Sequence, residues 1–127
     1  MLKDFPPIIE AWVTFLNTQD STGIKSVLGP DVLIIAYQEG PDGPSTKIEG
    51  LEGVIDWVQY PPKGRFVFAL ISLEASTPCP ELPSGDLTLK GTYQVSHTES
   101  DFTNQGSWTF SIQDGLIKAL LHIPRGI

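Results

Sequence analysis

The sequence has 127 residues, 40% of them hydrophobic and 18% charged, enough for one domain whose core needs neither disulfides nor a metal. Fifteen acidic residues against eight basic ones give a formal charge of −7. That balance excludes a phosphate-tracking nucleic-acid binder or an anionic membrane partner, since both need a positive field.

The single cysteine, Cys79, excludes an internal disulfide and a cysteine-cluster zinc site. No apolar run reaches membrane-spanning length, and Met1 to Pro7 lacks the apolar stretch of a signal peptide. A cytoplasmic protein with no membrane partner is expected.

Apolar residues at Phe5, Ile8, Ile9, Trp12, Phe15 and Leu16 follow the spacing of one helical face. They predict a first helix from Pro6 to Thr18 with Asp4 as its N-cap. Asp20-Ser21 can cap a short second helix containing Ile24, Val27 and Leu28, which Gly29-Pro30 stops. The β-branched run from Val32 to Tyr37 reads as a buried strand. Glu39 to Lys47, with Gly40-Pro41-Asp42-Gly43-Pro44 inside it, reads as a turn-rich loop. Leu51, Val54, Ile55 and Val58 share one face of a third helix that Pro61-Pro62 ends. From there the period becomes two. Strands are predicted from Phe66 to Ala75, Leu87 to Thr98, Gly106 to Gln113 and Leu116 to Ile123, joined by the link Thr77 to Asp86 and the turn Asp114-Gly115. Helices followed by a run of strands make an α+β domain over residues 1–127, with helices on one face of a mainly antiparallel sheet.

The strings Leu16 to Ile24, Gly29-Pro30-Asp31-Val32, Ile48 to Ile55 and Trp108 to Ile117 are similar to the nuclear transport factor 2-like superfamily. The SnoaL-like polyketide cyclase and ketosteroid isomerase branches are the ones they resemble. The resemblance implies a cone: three N-terminal helices packed in a strongly curved sheet around an apolar pocket, with dimerisation through the sheet. Laid on the ketosteroid isomerase pattern, the oxyanion-donor tyrosine falls on Trp12, the general-base aspartate on Ala36 and the proton-donating carboxylic acid on Trp108. Alanine cannot accept a proton, and indole supplies no acidic one. Isomerisation by that route is not expected.

Alternation puts Leu89, Gly91, Tyr93, Val95 and His97 on the inward face of one strand, and Trp108, Phe110 and Ile112 on that of the next. In the last strand both parities are apolar. The resemblance favours the side of Leu120 and His122. The expected ligand-binding lining is therefore Trp12, Phe15, Val54, Val58 and Tyr93, together with Val95, Trp108, Phe110, Leu120 and either Leu33 or Ile34. Such an interior suits a small hydrophobic or aromatic molecule.

His97 and His122 are the candidate general acid–base residues, and Tyr93 the candidate hydrogen-bond donor. The plainer reading is that the histidines are strand-end residues and Tyr93 a packed ring. Trp57 lies off its helix's stripe and suits an interface as well as a pocket. Glu99 or Asp101 could orient His97, and Glu74 could stand at a pocket mouth, or all three are solvated. Two distant histidines have no metal-ligand spacing, so no metal and no cofactor are expected.

Three functions fit these residues. The first is binding of a small hydrophobic molecule. The second is a cofactor-independent cyclase, isomerase or dehydratase using His97 or His122 with Tyr93. The third is a non-catalytic module that forms a homodimer through Thr88, Thr92, Gln94, Ser96, Ser107, Thr109 and Ser111 on the outer sheet face.

Overall fold

The computed structural model describes residues 5–38 and 43–124. Helix α1 (Pro7–Thr18) starts behind Pro6, whose carbonyl accepts the N–H groups of Ile9 and Glu10, and it buries Ile9, Trp12 and Phe15. The expected cap, Asp4, lies outside the described residues. The helix ends at Gln19 in the left-handed region, φ 57°, with the Gln19 N–H on the Phe15 carbonyl.

The second helix is reduced to a single 3-10 turn, Ile24–Ser26. Its physical limit is visible at Val27, whose carbonyl accepts the Ile117 N–H at 2.9 Å. Strand pairing thus claims the backbone that another helical turn would use, and Leu28 opens β1 (Leu28–Tyr37) ahead of the expected Val32. A further strand, β2 (Ser45–Glu49), replaces part of the expected loop; Glu39 to Asp42 of that loop lie outside the described residues. Helix α2 (Gly50–Gln59) buries Val54 and Val58. Strands β3 (Phe66–Ala75), β4 (Leu87–His97), β5 (Thr103–Gln113) and β6 (Leu116–Pro124) complete the fold.

The architecture is α+β, with two α-helices and a six-stranded mixed sheet in the order β2-β1-β6-β5-β4-β3. β1 and β6 are parallel, and all other neighbours are antiparallel. α1 packs on β3, and α2 on β1 and β2. Their apolar faces and one face of the sheet form the main core, which includes Trp12, Ile34, Val54, Tyr93, Trp108, Phe110 and Leu120.

A second, smaller cluster lies on the opposite face, where Ile35, Ala119 and Leu121 meet Leu82 from the link between β3 and β4. The link is tied down by hydrogen bonds from Ser111 Oγ to the Pro83 carbonyl (2.7 Å), from Lys118 Nζ to the Ser84 carbonyl (3.0 Å) and from the Tyr37 hydroxyl to Glu81 (2.7 Å). Cys79, a free thiol, packs at this cluster. The double apolar pattern of β6 has its reason here: each parity faces a core. Thr88, Thr109 and Ser111, three of the outer-face residues, are buried within the chain itself.

A bulge decides which β6 residues face inward. Asp114 and Gly115 both have positive φ (54° and 77°), the geometry of a two-residue hairpin turn, and pair Gln113 with Leu116. An unbroken ladder from that pair would set Trp108 opposite Leu121. The register instead shifts between Ser111 and Ile112, leaving Lys118 unpaired on β5 and placing His122 opposite Trp108. One extra residue thereby turns His122 to the helix-covered face.

β3 is an edge strand, and α1 caps it. Asn17 Nδ2 donates to the Phe68 carbonyl at 2.9 Å, while Phe68 N–H donates to Asn17 Oδ1 at 2.7 Å. The carboxamide acts as one residue of a missing neighbour strand. Asn17→Ala should lower stability by about 1–2 kcal/mol, measured by urea denaturation. An unchanged midpoint would show that water satisfies Phe68 as well as Asn17 does.

Candidate functional site

Tyr93 sits mid-strand on β4, paired with Gly106 of β5. A Cβ at Gly106 would stand 2.5 Å from the Tyr93 Cζ and hydroxyl oxygen. Only a glycine therefore allows the ring to lie flat across β5. From there it stacks on Trp108 (centroids 4.3 Å apart, planes 18°) and on His122 (5.4 Å, 16°).

Beneath it, Trp108 Nε1–H donates to His122 Nδ1 at 2.9 Å. Indole is a donor only, so Nδ1 must offer its lone pair and the imidazole proton resides on Nε2. Nε2 lies 3.5 Å from the Tyr93 hydroxyl, and its N–H points a long, weak bond at the phenol oxygen. The phenol O–H remains available for a further acceptor.

Burial lowers the His122 pKa from its ordinary 6.5 to about 4 and raises that of Tyr93. The rings around His122 are Trp57 (5.5 Å, edge-on), Tyr93 and Trp108, none of them charged. Near neutrality the pair is uncharged and presents one free donor, the Tyr93 O–H. A proton acceptor at Nδ1 is already taken.

Tyr93, His122 and Trp57 line a cleft of about 300 Å³. Trp12, Trp57, Phe66, Phe68 and Val95 wall it, and Tyr60-Pro61-Pro62 border it between α2 and β3. Tyr60 is 90% exposed, whereas Tyr93 is 1% exposed. Of the residues expected to line a pocket, Trp12, Val58, Tyr93, Val95 and His122 do so. Phe15, Val54, Trp108, Phe110 and Leu120 lie in the main core and off the cleft wall. Ile34 joins that core, while Leu33 faces the second cluster.

His97 is not brought to the cleft. Its ring meets Phe66 edge-on at 5.3 Å, and its Nδ1 accepts the Glu99 N–H at 3.1 Å, which binds it into the β4–β5 turn. Glu99, Asp101 and Glu74 are exposed. Among the described residues no group of three or more His, Cys, Asp or Glu could hold a metal ion, and no helix is long and apolar enough to cross a membrane.

Sequence reasoning passed over Leu16, Gln19, Phe66 and Phe68 as lining. Phe66 and Phe68 share one parity of β3 with Leu70, a signal that was available. Gln19 carried none. Ala36, where the resemblance sets a general base, pairs with His122 across the parallel seam, and Trp108 pairs with it from the other side. His122 thus stands between the two positions at which carboxylates would be expected.

No family model and no curated protein matches the sequence. Solved structures do match over nearly the whole chain. A candidate polyketide cyclase from Sinorhizobium meliloti is 19% identical, with a TM-score of 0.67 over 94% of this chain and 95% of its own. A candidate ketosteroid isomerase from Kribbella flavida is 17% identical, with a TM-score of 0.71 over 94% and 76%. A nuclear transport factor 2-like protein of unknown function from Cytophaga hutchinsonii is 16% identical, with a TM-score of 0.62 over 97% and 94%.

Proposed function

We propose, from the premise that this chain has the nuclear transport factor 2-like fold, that its cleft binds a small, flat hydrophobic or aromatic molecule carrying one acceptor oxygen. The observation that carries this reading is the Trp108–His122–Tyr93 assembly: the chain of hydrogen bonds leaves the Tyr93 O–H as a free neutral donor in a largely apolar, aromatic-rich wall. Apolar walls supply affinity through burial, and the donor supplies orientation. Structural neighbours named for cyclase and isomerase chemistry are consistent with a pocket of this kind. The helices and sheet would enclose it as a cone.

A catalytic reading draws on the same donor. Tyr93 O–H, backed by His122 Nε2–H, could polarise a substrate carbonyl as it gains negative charge. The described residues that line the cleft include no carboxylate or amine to remove a proton, so binding is the better-supported function.

2-Acetylnaphthalene is the direct probe. Titration followed by amide and indole chemical shifts should perturb Trp12, Trp57 and Val95. Tyr93→Phe should weaken this ketone about five- to tenfold and leave naphthalene itself nearly unaffected. Saturable binding absent at millimolar probe, or an equal loss for both compounds, would defeat the assignment.

A further inference from the structure

We infer that Gln19 determines specificity in this cleft: its side-chain carbonyl recognises a hydroxyl or amine on the outer end of a ligand whose acceptor oxygen the Tyr93 hydroxyl holds. The inference rests on the cleft being a ligand site. It adds the polarity of the ligand's other end.

Gln19 lines the cleft, and its Nε2 donates to two carbonyls, Val58 at 3.0 Å and Pro61 at 2.9 Å. Two acceptors on one side allow a single orientation of the amide, with nitrogen toward them. The backbone is held as well. Gln19 N–H donates to the Phe15 carbonyl at 2.8 Å, and Gln59 Nε2 donates to the Gln19 carbonyl at 2.9 Å. Both ends of the side chain are therefore fixed, while Oε1 has no partner among the described residues.

An acceptor with two open lone pairs, already immobilised, loses little further freedom when a ligand arrives. Its anchors also locate it. Pro61 adjoins the exposed Tyr60 and Gln19 is itself half-buried, so Gln19 belongs to the outer end of the cleft, opposite in character to the buried Tyr93. A donor stands at the inner end and an acceptor at the outer, with Trp12, Trp57, Phe66 and Phe68 between them.

The volume sets the ligand's size. About 300 Å³ is the space of roughly ten waters. That suits a molecule of about two rings. The ligand class is a flat aryl ketone or aldehyde with a hydroxyl or amine at its far end. Replacing that hydroxyl by an ether removes the donor and leaves Oε1 covered and unpaired, which a site of this kind rejects.

The test uses 6-acetyl-2-naphthol and its methyl ether, with the 4-acetyl-4′-hydroxybiphenyl pair as a longer scaffold. On one scaffold at least, wild-type protein should bind the hydroxyl compound about tenfold more tightly than the ether. The side-chain carbonyl ¹³C resonance of Gln19 should shift with the hydroxyl compound and not with the ether, a readout that needs no variant. Gln19→Met should abolish the preference, bringing the hydroxyl compound and its ether to within about twofold of each other whatever the absolute affinities become. Equal binding of both members in wild type would overturn the inference and leave the cleft as a ligand site. So would a preference that survives in Gln19→Met, even where all affinities fall together. Absence of binding by every probe, 2-acetylnaphthalene included, would remove the cleft reading and this inference with it.

Discussion

Gly106→Val is expected to lower stability by about 3 kcal/mol and to abolish binding in the cleft. The reason is a double obstruction. A Cβ at this position would meet the Tyr93 ring at 2.5 Å and the Ile123 carbonyl oxygen at 2.6 Å. Tyr93 could swing away, but only by leaving the stack on Trp108 and His122. The Ile123 oxygen cannot move independently, because it belongs to the β6 backbone paired with β5. Denaturant unfolding of the variant measures the loss, and shifts of the Trp108 and His122 ring resonances report the departure of Tyr93. Tyr93→Ala and Gly106→Ala combined should cost less than the sum of the two single losses but more than Tyr93→Ala alone, since the ring obstruction goes while the backbone obstruction remains. A Gly106→Val protein within about 0.5 kcal/mol of wild type that still binds 2-acetylnaphthalene would refute the packing described.

Trp108→Phe is the second large effect, at about 2–3 kcal/mol, and it has a pH signature. The substitution keeps an aromatic ring in the core but deletes the hydrogen bond to His122 Nδ1. Because the His122 pKa is lowered from 6.5 to about 4 when folded, the unfolded chain binds more protons between those values. Stability from this residue is present above pH 6.5 and is lost as pH falls toward 4, by up to about 3 kcal/mol. Without the indole N–H, a proton on Nδ1 no longer faces another donor. The folded pKa of His122 should rise above about 4 yet stay below 6.5, because the ring remains buried, and NMR titration of its ring protons follows the change. The acid limb of the difference between wild type and variant should flatten accordingly. If the His122 pKa is the same in both proteins, the indole bond does not set its protonation, and burial alone does.

How far this site could be read in advance depended on distance along the chain. α1, α2 and the four long strands follow local periodicity, and each formed close to where its apolar residues predicted. β2 did not, because Ser45 to Glu49 buries only Ile48 and shows no alternation strong enough to separate it from a loop. The short helix after Asp20 yielded to a contact made with Ile117, far downstream. The same principle governs the site. Tyr93 was legible as inward from parity alone, but the partnership of Trp108 with His122 depends on a one-residue bulge at Lys118 that no local pattern announces. Counting back from Asp114-Gly115 would have given the wrong partner. Gln19 was invisible for another reason: its role comes from the carbonyls of Val58 and Pro61, and backbone oxygens have no sequence signature.

The placement of β6 between β1 and β5 bears on how the molecule comes into being. Leu28 to Ala36 find their parallel partners only in Ile117 to His122, so the early strands wait through the synthesis of almost every other element before the sheet can be joined. Until then β1 and β2 form a hairpin with one open flank, and the β3–β5 meander has another. Long-range parallel closure of this kind is slow compared with hairpin formation. A nascent chain of this protein should therefore be most prone to association just before β6 leaves the ribosome. His122, which emerges with that strand, completes the candidate site in the same event that completes the fold.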